Sequence, residues 1–96
     1  MLVLVTYDVS TLDARGAKRL RKVAKTCVNY GIRVQKSVFE CNLDPARWEF
    51  LKSKLLKTYD PKEDSLRFYF LGSNWKRRVE HYGLAAQVEH DEPMIV

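Results

Sequence analysis

Residues 1–10, MLVLVTYDVS, begin with four consecutive aliphatic side chains, Leu2 to Val5, and reach a carboxylate at Asp8. A continuous apolar run of this length is typical of a strand that is buried on both faces of a sheet. A charge at the end of such a strand costs free energy unless it is paired or binds a metal. Asp8 is therefore the first candidate functional residue, and the alternative is a carboxylate that caps a helix or a turn.

The pattern after this first strand predicts an amphipathic helix. Apolar side chains recur at helical spacing between Ala17 and Val28, and Gly31 is expected to stop the helix. Ser10 or Thr11 is expected to cap the N-terminus.

Three further segments follow with clear patterns. Residues 31–43, GIRVQKSVFECNL, contain an extended segment, as one long bent strand or as two short strands around Lys36-Ser37. A second helix follows a cap at Asn42 or Asp44. Residues 65–71, SLRFYFL, alternate as a strand should.

The order of these elements predicts the fold class. A β-α-β(β)-α-β order is typical of an α+β, ferredoxin-like βαββαβ fold, here a single domain over residues 1–96. The first strand then lies at the centre of the sheet, which explains why it is apolar on both faces. Residues 75–83 are expected to form a short helical or irregular piece, and residues 93–96, PMIV, an extra C-terminal strand.

Composition excludes several classes of protein. A hydrophobic fraction of 46% argues against disorder, and the 96 residues allow a small core that dimerisation would enlarge. No run approaches the ~20 apolar residues of a membrane helix, and residues 1–10 lack the features of a signal peptide. We therefore expect a cytoplasmic protein with no membrane partner. Cys27 and Cys41 have no metal-binding spacing and are expected to act as small hydrophobic side chains.

The positive charge is concentrated on the first predicted helix. The net charge is +5, and the segment from Arg15 to Lys25 contains six basic residues and no acid. A solvated helix face is the alternative, but such a face normally alternates charges of both signs. We therefore predict contact with nucleic-acid phosphates. The predicted contacts are Arg15, Lys18, Arg19, Arg21 and Lys22.

A second basic segment is Trp75-Lys76-Arg77-Arg78, which mixes an aromatic ring with three cations. Nucleic-acid surfaces often have this composition, so Arg77 and Arg78 are further predicted contacts. The alternative is a tryptophan that anchors a loop to the sheet.

A magnesium site at Asp8 would need more than the one carboxylate that this residue supplies. Asp13 is a candidate accessory ligand, and the alternative is an exposed turn residue. Mg²⁺ usually binds one or two carboxylates and completes its coordination with water and phosphate. A two-fold dimer brings the same residue from both chains to one axis, and a divalent cation relieves the repulsion between the two carboxylates.

Three short motifs occur in a fixed order, namely Tyr7-Asp8-Val9, Gln35-Lys36-Ser37-Val38-Phe39 and Asp64-Ser65-Leu66-Arg67. With them, nearly the whole chain resembles the small CRISPR-associated adaptation proteins that partner the CRISPR integrase, a family of metal-dependent endoribonucleases. The segments RVQKSVFECNLD and NWKRRVEHYG are similar to the subtype I-C branch of that family.

This resemblance implies a homodimer in which Asp8 from both subunits approaches one Mg²⁺ ion. It implies that Tyr7, Arg33 and Phe39 lie with Asp8 at the active site, although Phe39 is equally a candidate core residue. Arg19 and Arg21 correspond best to the arginines of the family's first helix. The strand at 94–96 is expected to add to the partner's sheet.

Two functions follow from the resemblance, and they are compatible. The dimer would bind duplex DNA and bridge integrase dimers during the acquisition of new spacers. It would also be a magnesium-dependent endonuclease that hydrolyses phosphodiesters of single-stranded RNA or duplex DNA around the Asp8 pair. Outside CRISPR systems, the alternative is a toxin-like RNA interferase or a non-catalytic RNA-binding domain, because this fold does not fix one function.

Overall fold

Seven helices and strands follow one another along residues 1–72 and 78–84, which are the residues that this computed structural model describes. They are β1 (Leu2–Asp8), α1 (Ala14–Val28), β2 (Ile32–Gln35), β3 (Val38–Asn42), α2 (Pro45–Thr58), β4 (Ser65–Leu71) and β5 (Arg78–Gly83). Neither of these two helices is long and apolar enough to cross a membrane.

The strands form one antiparallel sheet in the order β2-β3-β1-β4-β5. Strand β1 lies between β3 and β4, which confirms the central position predicted from its apolar run. Residues 32–42 form two strands rather than one. The order matches the predicted ferredoxin-like arrangement, with β5 added beyond β4.

The core lies between the helices and one face of the sheet. Val3 and Val5 of β1 are fully buried there, and the alternate side chains of β3 and β4 face the same way. From α2, the indole of Trp48 packs edge-on against Phe68 and Phe70, with ring centroids 4.8 and 5.5 Å apart. These apolar contacts fix the helices on the sheet and leave its other face open.

The start of α1 differs from the predicted one. Asp13 caps the helix, because its Oδ1 accepts a hydrogen bond from the N–H of Gly16 at 2.9 Å. The predicted caps, Ser10 and Thr11, lie in the loop before the helix, where the N–H of Ser10 donates to Asp64 Oδ1 at 3.0 Å. Gly16 allows the preceding loop to lie against the helix, because a Cβ there would collide with the carbonyl of Ser10.

The end of α1 also differs. Asn29, in a right-handed conformation, is the C-terminal cap, so Gly31 does not stop the helix through a left-handed turn. Gly31 instead permits close packing, because a Cβ there would collide with the Glu40 carbonyl and the Cys41 sulphur of β3. The second helix begins as predicted, with Asp44 as its cap.

Residues 78–83 form a strand, so the predicted helical or irregular piece is wrong over this part of the chain. Strand β5 pairs with β4 over its whole length. Glu80 faces the helix side of the sheet, where its carboxylate lies 3.1 Å from the Nζ of Lys52, and Tyr82 packs against Phe68. Contacts with α2 and β4 therefore decide a conformation that the local sequence left ambiguous. The strand predicted at 93–96 lies outside the described residues.

The open face of the sheet carries a largely apolar row of side chains that crosses all five strands and includes the acid Glu40. Cross-strand pairing places Ile32, Glu40, Leu4, Tyr69 and Val79 in one transverse row. Ile32 is 69% exposed and Val79 is 47% exposed. We call this side of the sheet the open face.

The two cysteines are buried core residues, as predicted. Burial raises the pKa of the Cys27 thiol to about 12 and that of Cys41 to about 11. Both thiols are therefore protonated and unreactive at neutral pH.

Candidate nucleic-acid and metal site

Tyr7 and Asp8, although adjacent in sequence, lie on opposite faces of the sheet. Successive side chains of a strand alternate between faces, and Tyr7 is buried on the helix side with Val3 and Val5. Asp8 is exposed on the open face, where it pairs across to Ser65 of β4. The structure therefore separates Asp8 from the other three residues that the sequence grouped with it.

The remaining three predicted active-site residues do come together. The Cζ of Arg33 lies 5.1 Å from the centroid of the Phe39 ring, and the rings of Phe39 and Tyr7 stack with centroids 6.2 Å apart. Both Arg33 Nε and the Tyr7 hydroxyl donate to the carbonyl oxygen of Lys36, at 3.2 and 3.4 Å. Phe39 is a fully buried core residue, and Arg33 is the exposed member of this cluster.

The environment of Tyr7 changes its acidity. Burial raises the pKa of its phenol above the ordinary value, and the nearby Arg33 guanidinium offsets part of that increase. The phenol is therefore protonated at neutral pH and acts as a hydrogen-bond donor.

Asp8 fits an open metal site rather than a closed one. Within residues 1–72 and 78–84, no group of three or more His, Cys, Asp or Glu side chains is placed to hold a metal ion. The Asp8 carboxylate supplies the hard oxygen donors that Mg²⁺ prefers, and an exposed position leaves room for water and phosphate. The nearby Asp13 is engaged in capping α1 and lies 3.8 Å from Arg15.

Helix α1 presents most of its predicted phosphate contacts to solvent. Arg15, Lys18, Arg21 and Lys22 are exposed, as is Lys25 at the end of the same surface. The helix contains no acidic residue. We call these five side chains the α1 basic face.

Arg19 differs from its neighbours because it is bound within the protein. Its Nε and Nη2 donate to the two oxygens of Asp64 at 2.7 and 3.0 Å, and its side chain is only 18% exposed. Its role as a phosphate contact remains a prediction, but the structure holds its Nε and Nη2 on Asp64.

Asp64 is the residue that the pattern analysis missed. Its carboxylate is fully buried and accepts further hydrogen bonds from the N–H groups of Ser10 and Asp60, at 3.0 and 2.9 Å. It thus connects the loop after Asp8, helix α1 through Arg19, and the loop before β4. Its local sequence, YDPKED, is typical of a polar loop and does not indicate a buried residue. The family motif that begins at Asp64 was therefore the one sequence signal that pointed to it.

A polar group on the open face was also missed. Arg67 of β4 donates to His81 Nδ1 at 3.3 Å and to the Tyr69 hydroxyl at 3.4 Å, and His81 Nε2 lies 2.5 Å from the Leu84 carbonyl oxygen. Arg67 lies on the same side of the sheet as Asp8, one strand away. Among the described cations of the open face, Arg67 is therefore the one whose strand position lies closest to Asp8.

The second predicted basic segment is described only in part. Arg77 lies outside the described residues. Arg78 begins β5, where its backbone pairs opposite Phe70, and its side chain is not among the described groups.

Comparison with known proteins identifies the family of the chain. A family model described as CRISPR associated protein Cas2 matches residues 1–79. The CRISPR-associated endoribonuclease Cas2 of Chlorobaculum tepidum is 71% identical over 83 residues, which cover 86% of each chain. The CRISPR-associated endonuclease Cas2 of Halalkalibacterium halodurans is 53% identical over 95 residues, which cover 99% of each chain.

A solved structure supports the fold as well as the sequence. The crystal structure of Streptococcus pyogenes Cas2 superposes with a TM-score of 0.71 at 58% identity, covering 79% of this chain and 92% of that one. These matches confirm the resemblance that three short motifs indicated, while the subtype I-C assignment stays a prediction. The chain therefore belongs to the Cas2 family of CRISPR-associated proteins.

Proposed function

We propose that two copies of this chain form a cytoplasmic CRISPR adaptation subunit that binds duplex DNA and bridges integrase dimers during spacer acquisition. The observation that carries this proposal is the α1 basic face, with five exposed cations on a helix that has no acid. Phosphate contacts position a protein on DNA without reading sequence, as the capture of varied spacers requires.

The charge pattern of α1 is unfavourable without an anionic partner. Lys18 and Lys22 are four residues apart, as are Arg21 and Lys25, so like charges face each other along the helix. Each such pair costs about 0.2–0.5 kcal/mol. The described ion pair on this face, between Arg15 and Asp13, is long at 3.8 Å and well exposed. A DNA backbone would relieve this repulsion along the whole face.

The open face supports the homodimer. It exposes Ile32, Val79 and Leu71, which a second copy of the same face would cover. An isologous interface of this kind brings the same residues of both chains together. It would place two Asp8 carboxylates in one interface and leave the α1 basic face of each copy on the outside. The two-fold symmetry would then present two equivalent basic faces to a duplex.

A magnesium-dependent nuclease activity is the second part of the proposal. When bound, Mg²⁺ supplies a Lewis acid that neutralises charge on a phosphodiester and acidifies a water ligand. Asp8 would hold the ion, and Arg67 on the same face would bind a phosphate oxygen. The relatives carry the names endoribonuclease and endonuclease, so single-stranded RNA and duplex DNA are both candidate substrates.

Replacing Arg15, Lys18 and Lys22 together with alanine tests the DNA-binding proposal. The slope of log K against log salt for a duplex is negative, and its magnitude decreases by about 0.9 for each lost phosphate contact. We therefore expect the magnitude of the slope to be smaller by about 2.7 in the triple variant than in wild type. Fluorescence anisotropy with a labelled duplex at several salt concentrations measures this. Lys62→Ala, which removes an exposed cation outside α1, is the control. An unchanged slope in the triple variant would refute the assignment of this face.

A further inference from the structure

Helix α2 presents one large aromatic side chain to solvent. Phe50, in the middle of the helix, is 64% exposed. Trp48, Leu51 and Leu55 form the buried side of α2, so Phe50 is not needed to hold the helix on the sheet. A single exposed hydrophobic residue is common and does not define a site. The surroundings of the ring are what distinguish it.

Three exposed cations lie along the same side of the helix as Phe50. Arg47 precedes it by three residues, and Lys54 and Lys57 follow it by four and seven, which is the spacing of one helical face. The helix's acid, Glu49, projects about 100° around the axis from Phe50. Within residues 1–72 and 78–84, no carboxylate pairs with these three cations, whereas Lys52 is paired with Glu80 at 3.1 Å.

Tyr30 positions two of these cations. Its ring centroid lies 5.5 Å from the Cζ of Arg47 and 5.7 Å from the Nζ of Lys54. Cation–π contacts of this kind restrict long flexible side chains before any ligand binds, which lowers the entropy cost of binding. Two of the three cations beside Phe50, Arg47 and Lys54, are therefore held by an aromatic ring and not by a carboxylate of the described residues.

We propose that Arg47, Phe50, Lys54 and Lys57, together the α2 surface, bind single-stranded nucleic acid. An exposed ring flanked by cations has the composition of sites where a base stacks on an aromatic side chain and phosphates contact the cations. The bases of a duplex are stacked on one another, so the exposed ring favours an unpaired strand. This site uses neither Asp8 nor the α1 basic face, and it therefore goes beyond the proposed function and does not depend on it.

Binding of labelled dT12 and rU12 by Phe50→Ala and Phe50→Trp tests this proposal. Loss of one stacked base is expected to raise the Kd at least tenfold for Phe50→Ala, while Phe50→Trp binds as well as wild type or better. Duplex binding should change less than twofold in both variants. Comparing dT12 with rU12 distinguishes DNA from RNA as the ligand. Ser53→Ala, one turn away on the same exposed side of α2, is the matched control.

The cations give a second, independent readout. Replacing Arg47, Lys54 and Lys57 with alanine should lower the salt slope for dT12 by about 0.7 per contact, or roughly 2 in total. The proposal is wrong if Phe50→Ala leaves the affinity for both oligonucleotides unchanged. The proposal is also wrong if Phe50→Ala weakens duplex and single-strand binding equally. It is wrong as well if the Phe50→Ala variant shows altered self-association in sedimentation experiments, because the ring would then contact another partner.

Discussion

Replacing Asp64 with alanine is expected to lower the free energy of unfolding by about 3 kcal/mol, a large share of the stability of a small domain. The change removes both acceptors of Arg19 and leaves the N–H groups of Ser10 and Asp60 without their partner. When a buried acceptor is removed, each buried donor that it served is left without a hydrogen bond, and the desolvation free energy of that donor is no longer offset. Urea denaturation followed by circular dichroism measures the loss.

A neighbouring acid provides the control for this result. Glu63 is exposed and lies 3.8 Å from Arg19, so Glu63→Ala removes a negative charge beside the same guanidinium without emptying a buried position. Exposed ion pairs of this kind contribute less than about 1 kcal/mol. If Asp64→Ala is as mild as Glu63→Ala, the buried carboxylate does not hold these three segments together.

The same site makes stability depend on pH. Burial alone would raise the pKa of Asp64, but the hydrogen bonds from Arg19 and from the N–H groups of Asp60 and Ser10 outweigh it, and the pKa is lowered. A lowered folded-state pKa contributes stability that is present above the unfolded value of about 4 and is lost as pH falls through the folded-state value. The stability difference between wild type and Asp64→Asn should therefore shrink below about pH 4. A difference that stays constant down to pH 2 would contradict the ion pair.

Replacing Asp8 with alanine is expected to remove magnesium-dependent cleavage, by at least about 100-fold, while leaving the fold intact. The side chain is exposed and makes no described hydrogen bond, so its loss opens no cavity and leaves no buried donor unpaired. If two Asp8 carboxylates hold the ion, their removal takes away its protein ligands. Cleavage of single-stranded RNA and of duplex DNA should be followed over a range of Mg²⁺ concentrations.

Two controls make the Asp8 result specific. Sedimentation equilibrium should show that the variant still forms a particle of twice the 11.3 kDa chain, because removing two like charges does not weaken the interface. Asp13→Ala should retain cleavage and lose about 1 kcal/mol of stability, since Asp13 caps α1. Undiminished cleavage by Asp8→Ala would exclude this carboxylate from the chemistry.

Patterns that depend on local sequence predicted the architecture well. The apolar run of β1 indicated a central strand, and the helical spacing between Ala17 and Val28 indicated the side of α1 on which Val23 and Cys27 are buried. Alternation in SLRFYFL predicted strand β4. These features were predictable because side-chain periodicity reports directly on the face that packs against the core.

Features that depend on contacts between distant segments were not predictable. Strand β5 is stabilised by pairing with the edge of β4 and by the ion pair between Glu80 and Lys52 of α2. The local sequence of residues 78–83 does not predict an extended conformation. Asp64 lies in a polar loop by sequence, and only the fold brings it to Arg19 and Ser10. Tyr7 and Asp8 lie on opposite faces of the sheet because side chains alternate along a strand. The family resemblance grouped them because of their implied function and did not take the face of the sheet into account.

Spacer integration with a CRISPR integrase, the partner proposed above, tests the proposed scaffold role separately from the proposed nuclease activity most directly. The reaction should be compared for wild type, Asp8→Ala and the Arg15, Lys18 and Lys22 triple alanine variant, each confirmed as a dimer. We expect Asp8→Ala to support integration and the triple variant to fail, because bridging and DNA positioning need the α1 basic face and not the carboxylate. Normal integration by the triple variant would contradict the proposed role of α1. Loss of integration by an Asp8→Ala variant that still dimerises and binds DNA would show that the carboxylate pair acts in adaptation itself.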